Sequence, residues 1–223
     1  MLIIAILSSS PGCGRTTIMV NLGIGLQRKG FRVLIATGQT DIIIHSWLNP
    51  TAQEEVSTGA TIEKTAHNVD LLLKPGAALL STCLNELKNH YDYLLMDAGF
   101  NQYNLGQEVL VSDIIMSCVE AGINDQRIFD IEKQLRHLSR DSRGIDIIVP
   151  TKARSGEWES NVEQLMTLTE FFGEERIADF IPFCEAIHDL PKEKKSVWDL
   201  PQHYSNRKQA FDRLVDRVLG FRL

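Results

Sequence analysis

Short apolar runs alternate with longer stretches of helical period along most of this chain. Residues 2–7, 32–37, 69–73, 93–97, 113–119, 145–149 and 177–181 are apolar runs of strand length, most of them nearly unbroken. That character predicts strands buried on both faces, as in a parallel sheet. Between the first two runs, residues 16–29 place Ile18, Val20, Leu22 and Leu26 among polar neighbours and end at Gly30, which predicts a helix with a glycine stop. Residues 125–139 repeat the pattern with Ile128, Ile131, Leu135 and Leu138, and residues 161–172 and 206–219 supply later helices. The alternation predicts an α/β fold with three layers, helices covering both faces of a mostly parallel central sheet. Pro191, Lys192, Lys194, Lys195 and Pro201 suggest a long surface loop over 191–205. No repeat, low-complexity tract or linker interrupts the pattern, so residues 1–223 read as a single domain.

Composition narrows the class. The chain has 223 residues, 43% hydrophobic and 23% charged, which excludes disorder and disulfide-dependent miniproteins. Its formal charge of -6 argues against coating nucleic acid by bulk charge. The charge is unevenly placed, however. Residues 190–223 carry eight basic side chains against four acidic ones, giving +4 on a body of -10. That segment is either a nonspecific DNA contact or the solvated face of an amphipathic helix. Cys13, Cys83, Cys118 and Cys184 lie 70, 35 and 66 residues apart, without the close pairs of a zinc or redox motif, so a reducing, cytoplasmic setting is expected. His45, His67, His90, His137, His188 and His203 are scattered and read as surface or core residues. The apolar start lacks a basic flank and is too short to span a bilayer, and no run of about 18 apolar residues follows.

Chemistry is concentrated in Ser8-Ser9-Ser10-Pro11-Gly12-Cys13-Gly14-Arg15-Thr16-Thr17, between the first strand and the first helix. A glycine-bearing loop there turns backbone N–H groups inward and sets a helix N-terminus beneath an anion. Against the phosphate-loop pattern G-x-x-x-x-G-K-[ST], Gly14 and Thr16 fit, whereas Ser9 replaces the first glycine and Arg15 the lysine. From the loop alone, a phosphate cradle and a simple helix-capping turn both stay open.

The remaining motifs carry a resemblance. Ser10 to Thr17 aligns without a gap on K-G-G-x-G-K-T-T, Asn21-Leu22-Gly23 and Lys29-Gly30-Phe31-Arg32-Val33-Leu34-Ile35 follow at the matching spacing, and Tyr91-Asp92-Tyr93-Leu94-Leu95-Met96-Asp97-Ala98-Gly99 is similar to a Walker B segment. Ile148-Val149-Pro150-Thr151-Lys152-Ala153-Arg154, Ile181-Pro182, Glu185-Ala186 and Lys194-Lys195-Ser196-Val197 extend the match. The chain thus resembles the ParA/MinD family of deviant Walker P-loop ATPases, with a degenerate Walker A motif.

That resemblance implies ATP and Mg2+ as cofactors. Pro11, Gly12, Cys13, Gly14, Arg15, Thr16, Thr17, Lys152 and Pro182 would contact nucleotide, Thr16 and Asp97 would hold the metal, and Arg15 and Asp97 would be catalytic. It also implies a nucleotide-dependent homodimer acting as a partition or positioning switch, with a ParB-like or adaptor partner and nonspecific DNA contacts through the basic C-terminal segment. Three departures bear on turnover. Ser10 stands for the lysine that crosses to the second subunit, Arg15 for the lysine that acts within its own, and Thr37-Gly38-Gln39-Thr40-Asp41 falls where the family has D-x-D-P-Q. Losing a positioned charge typically costs a hundredfold or more in rate, so slow or absent hydrolysis is expected. Lys152 could replace the missing signature lysine, or be a solvated loop residue. A non-catalytic scaffold binding DNA or protein is the alternative. The apolar spacing in the last helix reads as docking onto the sheet rather than membrane binding.

Overall fold

The computed structural model describes residues 1–37, 42–55, 61–73, 84–98, 109, 111–138 and 142–221. Gly38 to Asp41, Cys83, Gly99 and Arg222, which enter the expectations above, lie outside the described residues.

The chain runs β1 (Leu2–Ser8), α1 (Arg15–Arg28), β2 (Val33–Thr37), α2 (Ile42–Leu48), β3 (Pro50–Glu55), β4 (Thr61–Thr65), β5 (Asp70–Leu73), β6 (Tyr93–Asp97), β7 (Ile114–Glu120), α3 (Arg127–Leu138), β8 (Ile147–Thr151), α4 (Trp158–Phe172), α5 (Glu185–Glu193) and α6 (Ser205–Gly220). The strands form one eight-stranded sheet in the order β3-β4-β5-β2-β6-β1-β7-β8. From β5 to β8 every pairing is parallel, while β4 runs antiparallel to β5 and β3 to β4.

The side-chain alternation of β1 explains why it is apolar from Leu2 to Leu7. Ile4 and Ile6 point to one face, where Ile18, Met19, Leu22 and Leu26 of α1, Trp47 of α2 and Phe211 and Val215 of α6 close a core. Ile3, Ala5 and Leu7 point to the other, against Ile128, Ile131 and Leu135 of α3 and Leu168 and Phe172 of α4. Both faces are buried, so Leu2 to Leu7 are apolar and the polar Ser8 comes only at the end of the strand, where the loop begins. Helix α1 lies between the sheet and α6, and Gly25 permits the close approach. A Cβ there would lie 2.5 Å from Val215 Cγ2 and 2.6 Å from the Trp198 ring.

Two expectations need correction. Residues 177–181 do not form a ladder strand. They run beside β8 and touch it through the isolated bridge Ile148↔Ile177, while a second bridge, Ala153↔Pro182, lies just past the ends of both segments. Pro150 has no N–H to donate and Lys152 sits at φ 57°, which breaks the pairing, although Ala178 and Ile181 still donate to Ile148 and Pro150 carbonyls at 2.8 Å. Nor is 191–205 a surface loop. Helix α5 includes Pro191, and a Ser196–Asp199 capping box starts a 3-10 turn in which Val197 is fully buried. The N–H of Val197 donates to Asn21 Oδ1 at 2.8 Å, and Trp47 Nε1 donates to the Lys195 carbonyl at 2.6 Å. The prolines and lysines of this segment are its surface; Val197 and Trp198 are its anchors.

Candidate functional site

Strand β1 lies between β6 and β7, so the loop after it emerges at the carboxyl edge of the sheet, beside the ends of both neighbours. Ligands collect at such a position in α/β sheets. Gly12 (φ 79°) and Gly14 (φ 90°) take left-handed conformations that a side chain would strain, and Gly14 turns the chain into α1. The loop is fastened from below. Ser9 N–H donates to the Cys118 carbonyl at 3.1 Å, Cys13 Sγ donates to the same carbonyl at 3.3 Å, and Thr151 Oγ1 donates to the Cys13 carbonyl at 2.6 Å.

Helix α1 begins with no side-chain cap on its N-terminal N–H groups and no acidic residue in its first turn. Its positive end therefore meets no compensating charge from its own first turn. It opens on a cleft of about 800 Å³ lined by Ser8, Ser9, Ser10, Pro11, Gly12, Gly14, Arg15, Thr16 and Thr17, with Ile43, Trp47, Ile187, His188 and Pro191 forming an apolar-rich wall and Arg127 entering from α3. This volume is within the range of small-molecule and cofactor sites.

The charged groups near the loop are paired. Arg15 Nε lies 3.0 Å from Asp97 Oδ1, Arg15 Nη2 donates to Asp97 Oδ2 at 3.4 Å, and Arg15 Nη1 donates to Ser8 Oγ at 3.3 Å. Arg127 Nε donates to Asp125 Oδ1 at 2.8 Å. Burial pushes the Asp125 carboxyl up, but the hydrogen bonds and charge of Arg127 outweigh it and hold the group below the usual carboxylate range. Burial raises the thiols of Cys13 and Cys118, more strongly for Cys118, which leaves both as protonated packing groups at neutral pH.

The residues singled out in the sequence are distributed as follows. Pro11, Gly12, Gly14, Arg15, Thr16 and Thr17 line the cleft, whereas Cys13 is 1% exposed and turned into the core. Asp97 is reached through Arg15. Lys152 and Pro182 are outside the lining of this cleft. Lys152 Nζ donates to Glu120 Oε2 at 3.0 Å, and Pro182 bridges to Ala153 next to it. The sequence reading missed Arg127. Its signal was positional, because a residue following β7 emerges at the same sheet edge as a loop following β1.

Magnesium, which the family resemblance implies on Thr16 and Asp97, calls for a carboxylate presented to the metal or its waters. Here both Asp97 oxygens face guanidinium nitrogens, so Arg15 stands where a metal or its waters would meet the carboxylate. The residues in this arrangement do not fit the metal.

The basic C-terminal segment is also engaged internally. Lys192 pairs with Asp189 at 2.9 Å, Lys195 with Glu193 at 3.0 Å, and Arg213 with Asp179. Lys194 and Lys208 donate to Asn49 Oδ1 and the Trp198 carbonyl at 2.7 and 2.9 Å. Phe211, Leu214, Val215 and Val218 of α6 are buried in the core that includes α1, and no helix among the described residues is long and apolar enough to cross a membrane.

A mostly parallel sheet with helices on both faces, and a glycine-bearing loop passing from β1 into α1, define the P-loop three-layer α/β/α class. The model of the CobQ/CobB/MinD/ParA nucleotide binding domain matches residues 4–197, and the chain belongs to that family. Solved structures share the fold over nearly the whole chain. The MinC:MinD cell division protein complex of Aquifex aeolicus superposes with TM-score 0.76 at 19% identity, covering 99% of this chain and 96% of that one. An ATP complex of a substituted McdA from Cyanothece gives 0.76 at 18%, covering 99% and 96%. The septum site-determining protein MinD of Pyrococcus horikoshii, complexed with Mg-ADP, gives 0.74 at 20%, covering 97% and 95%. No curated protein matches the chain in sequence.

Proposed function

We propose that this protein binds a nucleoside triphosphate, ATP foremost, through the loop from Ser8 to Thr17, and works as a nucleotide-dependent homodimeric switch in partition or intracellular positioning, with slow or no hydrolysis. The observation that carries the binding is the uncapped, acid-free N-terminus of α1 opening on a cleft of about 800 Å³. Backbone N–H groups and the Thr16 and Thr17 hydroxyls need no metal to meet a phosphate. Weak turnover follows from Ser10 in place of a second cationic side chain and from Arg15 directed at Asp97. Residues 1–223 act as one unit in this reading, in the cytoplasm, with an adaptor or ParB-like protein as the partner that reads the nucleotide state. Pro182 and Lys152, side by side next to β8, would border the base rather than the phosphates.

A second reading has one observation in its favour. Arg15 and Arg127 are each held by an acid of the same chain, as in a scaffold that has retired its ligand site. Equilibrium ATP binding combined with a phosphate-release assay separates the two. Saturable binding with release no faster than the buffer blank is expected; absence of binding up to millimolar ATP would leave the scaffold. Rapid multiple turnover would contradict both.

A further inference from the structure

We infer that Arg15, rather than a divalent cation, is the resident positive charge of this site, and that phosphate-bearing ligands bind here without metal. The inference rests on the nucleotide-binding reading above and concerns how that ligand is neutralised.

Asp97 is fixed in place by the sheet. Strand β6 pairs in parallel register with β1 from Leu2↔Tyr93 to Ile6↔Asp97, and the next N–H, of Ala98, donates to the Ile6 carbonyl at 3.2 Å. The backbone of Asp97 is therefore set at the base of the loop, and its carboxylate is met there by Arg15. Arg15 is the first residue of α1 and its fork closes on that carboxylate from the cleft side. Nη2 donates to Asp97 Oδ2 at 3.4 Å and Nη1 to Ser8 Oγ at 3.3 Å, while Nε stands 3.0 Å from Asp97 Oδ1 as an ion pair outside hydrogen-bond geometry. The side chain of Asp97 is 11% exposed and that of Arg15 26%, and Arg15 lines the cleft while Asp97 does not. A metal ion approaching Asp97 from the cleft meets the guanidinium first.

The chemistry of the two cations makes this exchange unfavourable for the metal. Mg2+ gives up water reluctantly and is usually held by carboxylates together with phosphates, whereas a guanidinium keeps its charge at every accessible pH and satisfies a carboxylate with parallel N–H donors. Displacing it would strip Arg15 of both partners at once. A lysine could not play this part, because a single ammonium cannot span both oxygens and still turn donors toward a ligand. The N–H groups of Arg15 not spent on Asp97 and Ser8 remain for a phosphate oxygen. Arg127 enters the same cleft on a separate carboxylate, so two guanidinium groups accompany the α1 N-terminus. The ligand class is a polyphosphate monoester, bound as the metal-free anion.

The test is ATP titration calorimetry on the full chain, in Mg2+ and in excess EDTA. Affinities agreeing within about threefold in the two buffers are expected. The Arg15→Lys variant should acquire a metal requirement, losing about tenfold or more in EDTA. Should Arg15→Lys fail to fold, Asp97→Asn serves instead: its affinity in Mg2+ should hold or rise, whereas removing a metal carboxylate would lower it about tenfold or more. Wild-type binding that collapses in EDTA, or an Asp97→Asn variant that loses ATP in Mg2+, overturns the inference and leaves the nucleotide-binding reading standing. No binding in either buffer overturns that reading itself, and the inference with it.

Discussion

Thr151 Oγ1 donates to the carbonyl oxygen of Cys13 at 2.6 Å, tying the middle of the loop after β1 to the last residue of β8 across 138 positions of sequence. The Val119 carbonyl lies 3.0 Å from the same hydroxyl, and Thr151 is buried. The loop's shape is thus set by the sheet edge beneath it. Replacing Thr151 by valine keeps the volume and leaves a buried carbonyl short of its donor. A loss of about 1–2 kcal/mol is expected in denaturant unfolding, with weakened ATP affinity. Unchanged stability would mean that the loop holds its form without this bond.

The Arg15–Asp97 pair is partly screened by solvent on the arginine side, which limits its worth to stability. A double-mutant cycle with Arg15→Ala and Asp97→Ala should give a coupling energy of about 1 kcal/mol, with Arg15→Ala alone costing more than the double variant because it strands a nearly buried carboxylate. Additive single effects would show that the two residues do not interact in solution.

Asp125 supplies a pH dependence. Its folded carboxyl is held below the ordinary value, so the charged form stabilises the fold above the unfolded pKa, and this contribution fades as pH falls through the folded pKa. The Asp125→Asn variant retains an oxygen to accept the Arg127 N–H and loses only the charge. Melting temperatures of the two proteins should differ most near neutral pH and converge in acid below the carboxylate range. A constant gap across that range would exclude the charge as the cause.

Gly25 tests the packing behind the site. Alanine there must push Val215 Cγ2 and the Trp198 ring from positions 2.5 and 2.6 Å away from the new Cβ. About 1–3 kcal/mol of destabilisation is expected from denaturant midpoints, accompanied by a change in tryptophan emission. A neutral substitution would show that α6 moves away from α1 at no cost.

Much of the fold was legible because its strands are buried on both faces. The run 93–97 coincides with β6, and α1 forms where the helical period placed it, although every residue from Ile18 to Leu26 is buried because the helix is covered by the sheet on one side and α6 on the other. The antiparallel strands β3 and β4 escaped because an edge hairpin alternates polar and apolar residues weakly: Gln53, Glu54 and Lys64 give no apolar run. Strand β8 extends past Pro150, where a proline suggests an ending, because that position is used through its carbonyl alone, accepting from Ile181. At the site, the loop itself could be read from its glycines and its place after β1. The direction of Arg15 could not, since its partner Asp97 lies 82 residues away and is delivered by strand order. Arg127 was hidden for the same reason. Lys152 drew attention by position, yet its acid partner, Glu120, stands on the neighbouring strand opposite Thr151, a placement that only strand pairing reveals.

The central claim, that a triphosphate is held by the loop from Ser8 to Thr17, is tested most directly by hydrogen–deuterium exchange of the full chain with and without saturating ATP. The account predicts slowed exchange at the amides of residues 9–18, spanning the loop and the first turn of α1. Unchanged exchange across those residues at ATP saturation, or protection confined to another surface, would contradict it.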